Sequence, residues 1–317
     1  HSFDLMSSFI KNGDSFIKSL SMVSIQTYAD IQSAPLRLRE KAVGKSSPSL
    51  SAGLPHFASG YMRTWGRDTF ISMRGLLLVT GRYNEALDMI CGFASCLRHG
   101  MIPNLLSSGQ NPRYNARDAT WWFMQAIQDY CEFVYSNDII KIIEFLKNTE
   151  IERYYTSDDH EEKREHKMTN LGEIIKEIIK RHAYGISYRE WNAGKQIDNH
   201  MTNEGFNVNE YLDYETGFLF GGNRSNCGTW MDKMGSNGIH GNLGIPSTPR
   251  DGADIEIIGL LASSLRWLLL LESNGFKFDT LLIGKSEKTI TLNEWYNQIK
   301  NNFEKRFWIP IKGDEDE

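Results

Sequence analysis

Apolar side chains recur at helical spacing in six stretches of this sequence, and residues that begin or end helices bound these stretches. Asn170 precedes one stretch and Gly185 follows it, and Thr291 opens the last. Asp118 and Asp251 also stand where helix N-caps are expected. The pattern predicts an all-α chain with helices over residues 68–79, 84–98, 118–133, 170–185, 253–273 and 291–307, and weaker helices over 5–20 and 139–146.

Three long connections rich in glycine and asparagine separate these helices, at residues 101–117, 186–213 and 221–250. Strand signal is scarce, and its best instance is a hairpin in which residues 218–220 follow a turn at residues 214–217. Helices joined by short turns on one side and long loops on the other are typical of an α/α toroid, whose loop-bearing rim carries the site. We therefore expect a helical toroid with a minor β-hairpin.

The composition narrows the classes of function. The chain has 317 residues, of which 40% are hydrophobic, so it can bury a large core. Its net charge of −5 and the lack of a basic run argue against a nucleic-acid partner. No stretch approaches the ~18 consecutive apolar residues of a membrane span, and no signal-like segment is evident, so a cytoplasmic protein without a membrane partner is expected. The 8 Trp, 13 Tyr and 16 Phe residues favour a substrate with flat, weakly polar faces, such as a sugar.

Two clusters combine arginine, aspartate and tryptophan just before predicted helices. The first contains Trp65, Arg67 and Asp68, and the second contains Arg117 and Asp118, followed by two further tryptophans. N-capping alone explains either aspartate about as well as function does. An adjacent arginine and aspartate can hydrogen-bond vicinal hydroxyls, and an indole can cover the apolar face of a pyranose, so we favour sugar binding.

Two further clusters, at residues 221–235 and 248–256, contain carboxylates suited to acid–base chemistry. Asp254 and Glu256 read more simply as first-turn acids that complement a helix dipole. Asp232 fits that explanation less well, because it follows Trp230 and Met231 in a glycine-rich loop. An apolar setting favours the protonated carboxyl that a general acid requires.

These clusters belong to longer motifs that carry a family resemblance. The motifs are HFASGYMRTWGRDTF at residues 56–70, LRHGMIPNL at 97–105, ARDATWW at 116–122, NCGTWMDKMG at 226–235 and TPRDG at 248–252. From about residue 30 onward, the chain closely resembles the C-terminal glucosidase region of eukaryotic glycogen debranching enzymes. The resemblance implies an (α/α)6 toroid of the glucoamylase type. It also implies hydrolysis of the α-1,6-linked glucose at glycogen branch points by an inverting mechanism, with no metal and no cofactor.

The resemblance also assigns roles to residues. It implies that Asp232 is the general acid, and that glycogen or another branched α-glucan is the partner. The remaining positions are implied to bind this substrate, with the rim positions assigned last: Trp65, Arg67, Asp68, Arg117, Asp118, Trp121 or Trp122, Trp230, Arg250, Asp251 and Glu256.

The sequence departs from the family late in the chain. An inverting glycosidase needs a second carboxylate roughly 6.5–9.5 Å from the acid, and the Gly-Pro-Glu-Trp segment that supplies it in the family does not occur here. About seven or eight predicted helices also fall short of a closed toroid. We expect residues 1–317 to form one partial glucosidase domain, with an unassigned lead-in over 1–30 and a frayed acidic tail over 313–317. The parent would also carry 4-alpha-glucanotransferase activity.

An incomplete toroid has consequences for both solubility and function. An open toroid would expose apolar helix faces, for instance the stripe of Trp295, Phe303 and Phe307. Without its base, the chain would be a catalytically incomplete glucan-binding fragment or a degenerate scaffold. A toroid with unrelated chemistry, such as a prenyl cyclase, would need an aspartate-rich metal motif, and the adjacent pair Asp158 and Asp159 lacks its third aspartate.

Overall fold

A computed structural model describes residues 3–31, 47–50, 63–107, 111–153, 167–191 and 193–309. These residues form a mostly helical structure, as the sequence predicts. They contain nine α-helices: α1 (Ser8–Lys11), α2 (Ser15–Thr27), α3 (Gly66–Met73), α4 (Tyr83–Ser95), α5 (Ala119–Tyr135), α6 (Ile139–Asn148), α7 (Leu171–Tyr184), α8 (Ile255–Ser273) and α9 (Leu292–Phe307).

The helices follow the predicted periodic stretches closely. Asn170 and Thr291 are confirmed as side-chain N-caps, and Gly185 ends its helix with a φ of 98°. The predicted helix over residues 68–79 is α3 followed by a π-helical turn at Arg74–Leu78. Residues 5–20 hold the two short helices α1 and α2 rather than a single helix.

Of two further predicted N-caps, Asp118 has the predicted position without the capping hydrogen bond, and Asp251 is wrong. Asp118 occupies the N-cap position of α5 but makes no capping hydrogen bond, because its carboxylate is engaged elsewhere. Asp251 lies before the helix start, since the N-cap of α8 is Asp254. A capping signal in the sequence therefore marks a position near a helix start without showing what the carboxylate there bonds to.

The long connections contain more strand than the sequence predicts. The described strands are short and antiparallel: β1 (Tyr28–Ile31), β2 (Ser47–Leu50), β3 (Arg63–Trp65), β4 (Leu105–Ser107), β5 (Asn111–Arg113), β6 (Glu150–Arg153), β7 (Lys167–Asn170), β8 (Ile186–Arg189), β9 (Asn207–Leu212), β10 (Leu219–Gly221), β11 (Leu281–Leu282) and β12 (Thr289–Ile290). Strands β3, β4 and β5 form one three-stranded sheet, and β8, β9 and β10 form another. The predicted hairpin is confirmed, with Leu219 opposite Leu212.

The core lies between the helices and positions the start of three of them. Phe70 on α3 makes edge contacts with Phe93 on α4 and Phe123 on α5, at centroid distances of 4.9 Å and 5.2 Å. Helix α5 packs against both α3 and α8. Because side-chain bonds join the residues that precede or open these helices, their N-terminal ends converge on one region.

The expectation of an exposed stripe on the last helix is wrong. Trp295 is fully buried, and its Nε1 donates a hydrogen bond to the Gly217 carbonyl at 2.8 Å. Phe307 stacks on Phe218 at 5.2 Å, and Phe303 is partly buried against the same core. The β9–β10 hairpin covers the apolar face of α9 that an open toroid would expose.

In the parts of the chain that the structure describes, no helix combines the length and apolar character needed to cross a membrane. Several sequence predictions lie outside the described residues: the motif residues 56–62, the aspartate pair at 158–159 and the acidic tail at 313–317.

Truncating Trp295 tests the covering of α9. We expect Trp295→Ala to lower the free energy of unfolding by about 3–5 kcal/mol, because it removes a fully buried indole and leaves a cavity. The measurement is urea denaturation followed by circular dichroism. Trp308→Ala is the control, since Trp308 is 69% exposed. Equal destabilisation by the two variants would contradict the packing described here.

Candidate active site

A cleft of about 500 Å³ opens where the N-terminal ends of α3, α5 and α8 meet the loop at residues 221–250. Its wall combines aromatic, charged and aliphatic side chains: Trp65, Arg67, Asp68, Ile71, Trp122, Trp230, Asp232, Lys233 and Glu256. This composition suits a small ligand that is apolar on its faces and rich in hydroxyls at its edges.

Three indoles supply the apolar part of the wall. Trp65 ends β3 and precedes α3, and Trp122 lies in the first turn of α5. Trp230 belongs to the glycine-rich loop and is 53% exposed. An indole held at a cleft with half of its surface in water is an available platform for stacking.

The buried centre of the site is the guanidinium of Arg67. Its Nε and Nη2 donate to the two carboxylate oxygens of Asp118 at 2.6 Å and 2.8 Å, and its Nη1 donates to Asp232 Oδ2 at 2.9 Å. Arg67 is 5% exposed and Asp118 is fully buried. Burial raises the pKa of the Asp118 carboxyl, whereas the bidentate contact with Arg67 acts in the opposite direction and favours the carboxylate. Arg67 therefore joins α3, α5 and the 221–250 loop.

Asp232 lies at the cleft, but its setting is not the apolar one that the sequence suggested. Its Oδ2 accepts from Arg67, and its Oδ1 accepts from Lys233 Nζ at 2.8 Å. The Asp232 side chain is 18% exposed, whereas that of Lys233 is 85% exposed. One partner of Asp232 is thus fixed inside the protein and the other stands in solvent.

Two further carboxyl groups line the same cleft. Burial raises the pKa of Asp68, and the nearby charge of Asp232 adds to this effect while Arg67 opposes it. Glu256 Oε2 accepts from Arg250, and its Oε1 is buried with no hydrogen-bond partner among the described residues. The cleft therefore gathers three carboxyl groups in different surroundings, which acid–base chemistry requires.

Arg117 lies behind the cleft and holds the segment before α8. It is 1% exposed, and its Nη2 donates to the Arg250 carbonyl and to Asp254 Oδ2, both at 2.7 Å. Its Nη1 donates to the Gly252 carbonyl at 3.2 Å. Asp254 Oδ1 in turn accepts from Arg250 Nε at 2.8 Å, and Arg250 has a φ of +54°. These bonds determine where Glu256 meets the cleft.

The structure brings together six of the predicted site residues, and these line the cleft with Asp232: Trp65, Arg67, Asp68, Trp122, Trp230 and Glu256. The other predicted residues do not line it. Asp118, Arg117 and Arg250 form the supporting ion pairs, Trp121 is buried beside His182 at a centroid distance of 4.8 Å, and Asp251 is exposed.

Sequence reasoning missed three residues. Ile71 lies one helical turn after Asp68, and Lys233 follows Asp232 directly, so both could have been found from spacing. Asn104 is 2% exposed, and its Oδ1 accepts from the Arg67 backbone amide at 3.2 Å. That contact spans 37 residues and leaves no local signal.

Comparisons with known proteins identify the family to which the chain is similar. A family model described as amylo-alpha-1,6-glucosidase matches residues 12–315. The glycogen debranching enzyme of Saccharomyces cerevisiae is 47% identical over 307 residues, which cover 96% of this chain and 20% of that protein. The chain therefore spans about a fifth of the length of this curated relative.

Removing the charge of Asp118 tests the Arg67 network. We expect Asp118→Asn to lower the free energy of unfolding by about 3–5 kcal/mol, because it breaks a buried pair and leaves the guanidinium with one carboxylate. Urea denaturation measures the difference. Asp251→Asn is the control, and its exposed side chain should change stability by less than about 0.5 kcal/mol. A neutral effect of Asp118→Asn would show that the pair does not hold the site together.

Proposed function

Because the chain belongs to the amylo-alpha-1,6-glucosidase family, we propose that its cleft binds the α-1,6-linked glucose of a branched α-glucan and takes part in hydrolysing that bond. The observation that carries the proposal is Asp232, a carboxyl at the mouth of an indole-walled cleft and fixed from behind by Arg67. The substrate we propose is glycogen or its limit dextrin. The parent architecture we propose is an (α/α)6 toroid.

Asp232 is proposed to protonate the glycosidic oxygen as the bond to the terminal glucose breaks. A glucosyl group that fills the cleft removes water from this carboxyl. The exposed ammonium of Lys233 can leave as the substrate enters, whereas Arg67 keeps the carboxyl in place. Arg67 thus acts on the acid more than on the sugar, and Asp68 and Glu256 are the better candidates to accept hydrogen bonds from sugar hydroxyls.

An inverting reaction also needs a carboxylate that activates water on the opposite face of the sugar. The family's Gly-Pro-Glu-Trp segment is missing from this sequence. That observation supports a second candidate function, in which the chain by itself binds glucan and does not hydrolyse it. The two candidates share the cleft and differ only in turnover.

Glucose release separates these candidates. The substrate is a maltooligosaccharide with a single α-1,6 glucosyl branch, its linear counterpart is the control, and a coupled assay detects glucose. Release from the branched substrate alone would support hydrolysis and place a base within these residues. Binding of the branched substrate without release would support the binding candidate, and absence of both would contradict the proposal.

Replacing the proposed acid gives a sharper test. If the wild-type chain releases glucose, we expect Asp232→Asn to lower kcat by at least about 100-fold, because it removes the proton donor, while glucan binding changes little. Asp279→Asn is the matched control, since it makes the same change at an exposed position away from the cleft. Wild-type turnover by Asp232→Asn would refute the assignment of the acid.

Removing the exposed indole tests recognition separately from chemistry. We expect Trp230→Ala to weaken binding of the branched oligosaccharide by about fivefold, through loss of roughly 1 kcal/mol of stacking on a sugar face. Isothermal titration calorimetry measures the affinity. Trp308→Ala should leave the affinity unchanged, because Trp308 is also an exposed tryptophan but does not line the cleft.

A further inference from the structure

A buried pair of titratable side chains lies behind the site and takes no part in the chemistry proposed above. Strand β9 turns Val208, Glu210 and Leu212 inward, so a charged residue type occupies a core position. Glu210 Oε1 lies 3.3 Å from Nε2 of His182 on α7, and the two side chains are 1% and 0% exposed. Among the described residues, His182 Nε2 and both carboxyl oxygens of Glu210 have no hydrogen-bond partner, so at 3.3 Å the two groups are in contact without a well-formed hydrogen bond.

The hydrogen bonding of His182 determines which of the two groups carries the proton. His182 Nδ1 lies 2.8 Å from the Ile178 carbonyl, and a carbonyl only accepts, so Nδ1 carries the hydrogen. In the neutral ring, Nε2 then presents a lone pair to Glu210. If Glu210 were ionised, its carboxylate oxygen and the Nε2 lone pair would both be acceptors and would repel each other. A protonated Glu210 carboxyl can instead donate a hydrogen bond to Nε2.

Burial favours this neutral pair over an ion pair. It raises the pKa of Glu210 to about 8 and lowers the pKa of His182 to about 4, because neither charge is solvated in the core. The other charged and titratable groups that act on the pair are Arg117 before α5, Asp254 before α8, Arg181 on α7 and Tyr188 on β8. Arg117 favours ionised Glu210, and Asp254 opposes it.

The backbone of Glu210 also connects to the segment that carries the cleft wall. Glu210 is opposite Gly221 in the β9–β10 ladder. Gly221 and Gly252 exchange two backbone hydrogen bonds, at 3.0 Å and 2.8 Å. A Cβ at Gly221 would lie 2.3 Å from the Asn209 carbonyl and 3.0 Å from Arg117 Nη1, so only glycine lets the strand approach this closely.

We propose that Glu210 is a positioning residue for the cleft. As a neutral carboxyl paired with His182, it leaves Arg117 committed to the carbonyls of Arg250 and Gly252 and to Asp254. Arg250 then remains bonded to Glu256 at the cleft wall. When Glu210 loses its proton, Arg117 has a second carboxylate nearby in addition to Asp254. This carboxylate draws the guanidinium away from residues 250–254, and the cleft wall that these residues hold becomes less ordered.

The pH dependence has a definite sign. The unfolded chain ionises Glu210 near its ordinary pKa of 4.5, whereas the folded chain keeps the proton to about 8, so this group costs stability increasingly across that interval. The lowered pKa of His182 has the opposite effect on stability. The unfolded chain protonates this ring first, so His182 lowers stability as the pH falls from 6.5 towards 4. Above pH 6.5 only the Glu210 effect remains, so stability and wall order should fall together towards pH 8.

Glu210→Gln is the informative variant, because its amide can donate to His182 Nε2 and carries no charge at any pH. Glu215→Gln, in the exposed turn after β9, is the matched control. Infrared difference spectroscopy at pH 7 should show a protonated-carboxyl band that Glu210→Gln removes and Glu215→Gln retains. Absence of that band from the wild-type protein would overturn the proposal, whatever the catalytic activity.

Hydrogen exchange measured by mass spectrometry tests the coupling to the wall. At pH 9, we expect residues 250–256 of the wild-type chain to exchange at least several-fold faster than those of Glu210→Gln at the same pH. The two proteins should match at pH 6.5. Equal exchange at both values would overturn the proposal.

Glucan affinity supplies a third readout, and only this one rests on the proposed function. Wild-type affinity for the branched oligosaccharide should fall between pH 7 and pH 9, and that of Glu210→Gln should fall less. If neither protein binds glucan at any pH, the proposed function fails, while the infrared and exchange results still decide the role of Glu210.

Discussion

The site depends on one buried guanidinium. Removing Arg67 from water is costly, and the structure offsets this cost by giving it a bidentate carboxylate, Asp118, and a second carboxylate, Asp232. Each partner comes from a different part of the chain, so the same interaction that solvates the charge also joins α3, α5 and the glycine-rich loop. Arg117 repeats this arrangement next to it, with Asp254 and two backbone carbonyls as its acceptors. Two buried arginines thus define the cleft from behind, and indoles form its front.

This arrangement explains why the sequence predicts the roles of the acidic residues only in part. Aspartate before a helix is the usual sign of an N-cap, and Asp118 occupies that position without using it, because Arg67 takes both of its oxygens. Asp232 was identified from its loop, but its charged partners could not be inferred, since Arg67 is 165 residues away in the sequence. Asp251, which the local pattern favours as an N-cap, is exposed, whereas Asp254, which the helix dipole alone would explain, bonds two arginines.

The parts of the fold that the sequence predicted are those with a local physical cause. Helical periodicity gave the main helices, and Asn170, Thr291 and Gly185 gave their ends, because capping involves residues within one turn. Three-residue strands such as β3 and β4 are too short for an alternating pattern, and only pairing with distant segments stabilises them. The cover over Trp295 and the inward position of Glu210 are likewise products of tertiary contact. Local sequence therefore predicts the elements and several site residues, whereas the supporting contacts require the assembled chain.

The sequence separations within the Arg67 network have a consequence for the order of folding. The contacts with Asp118 and Asp232 close loops of 51 and 165 residues, and the contact between Arg117 and Asp254 closes one of 137 residues. Closing such loops costs entropy that is repaid only after the distant partner arrives, so contacts of this kind tend to form late. During synthesis, the cleft cannot exist until residue 256 has left the ribosome, even though its first indole, Trp65, emerges nearly two hundred residues earlier. Between these two points the nascent chain displays tryptophan-rich segments, and those segments form a cleft only once residue 256 is available.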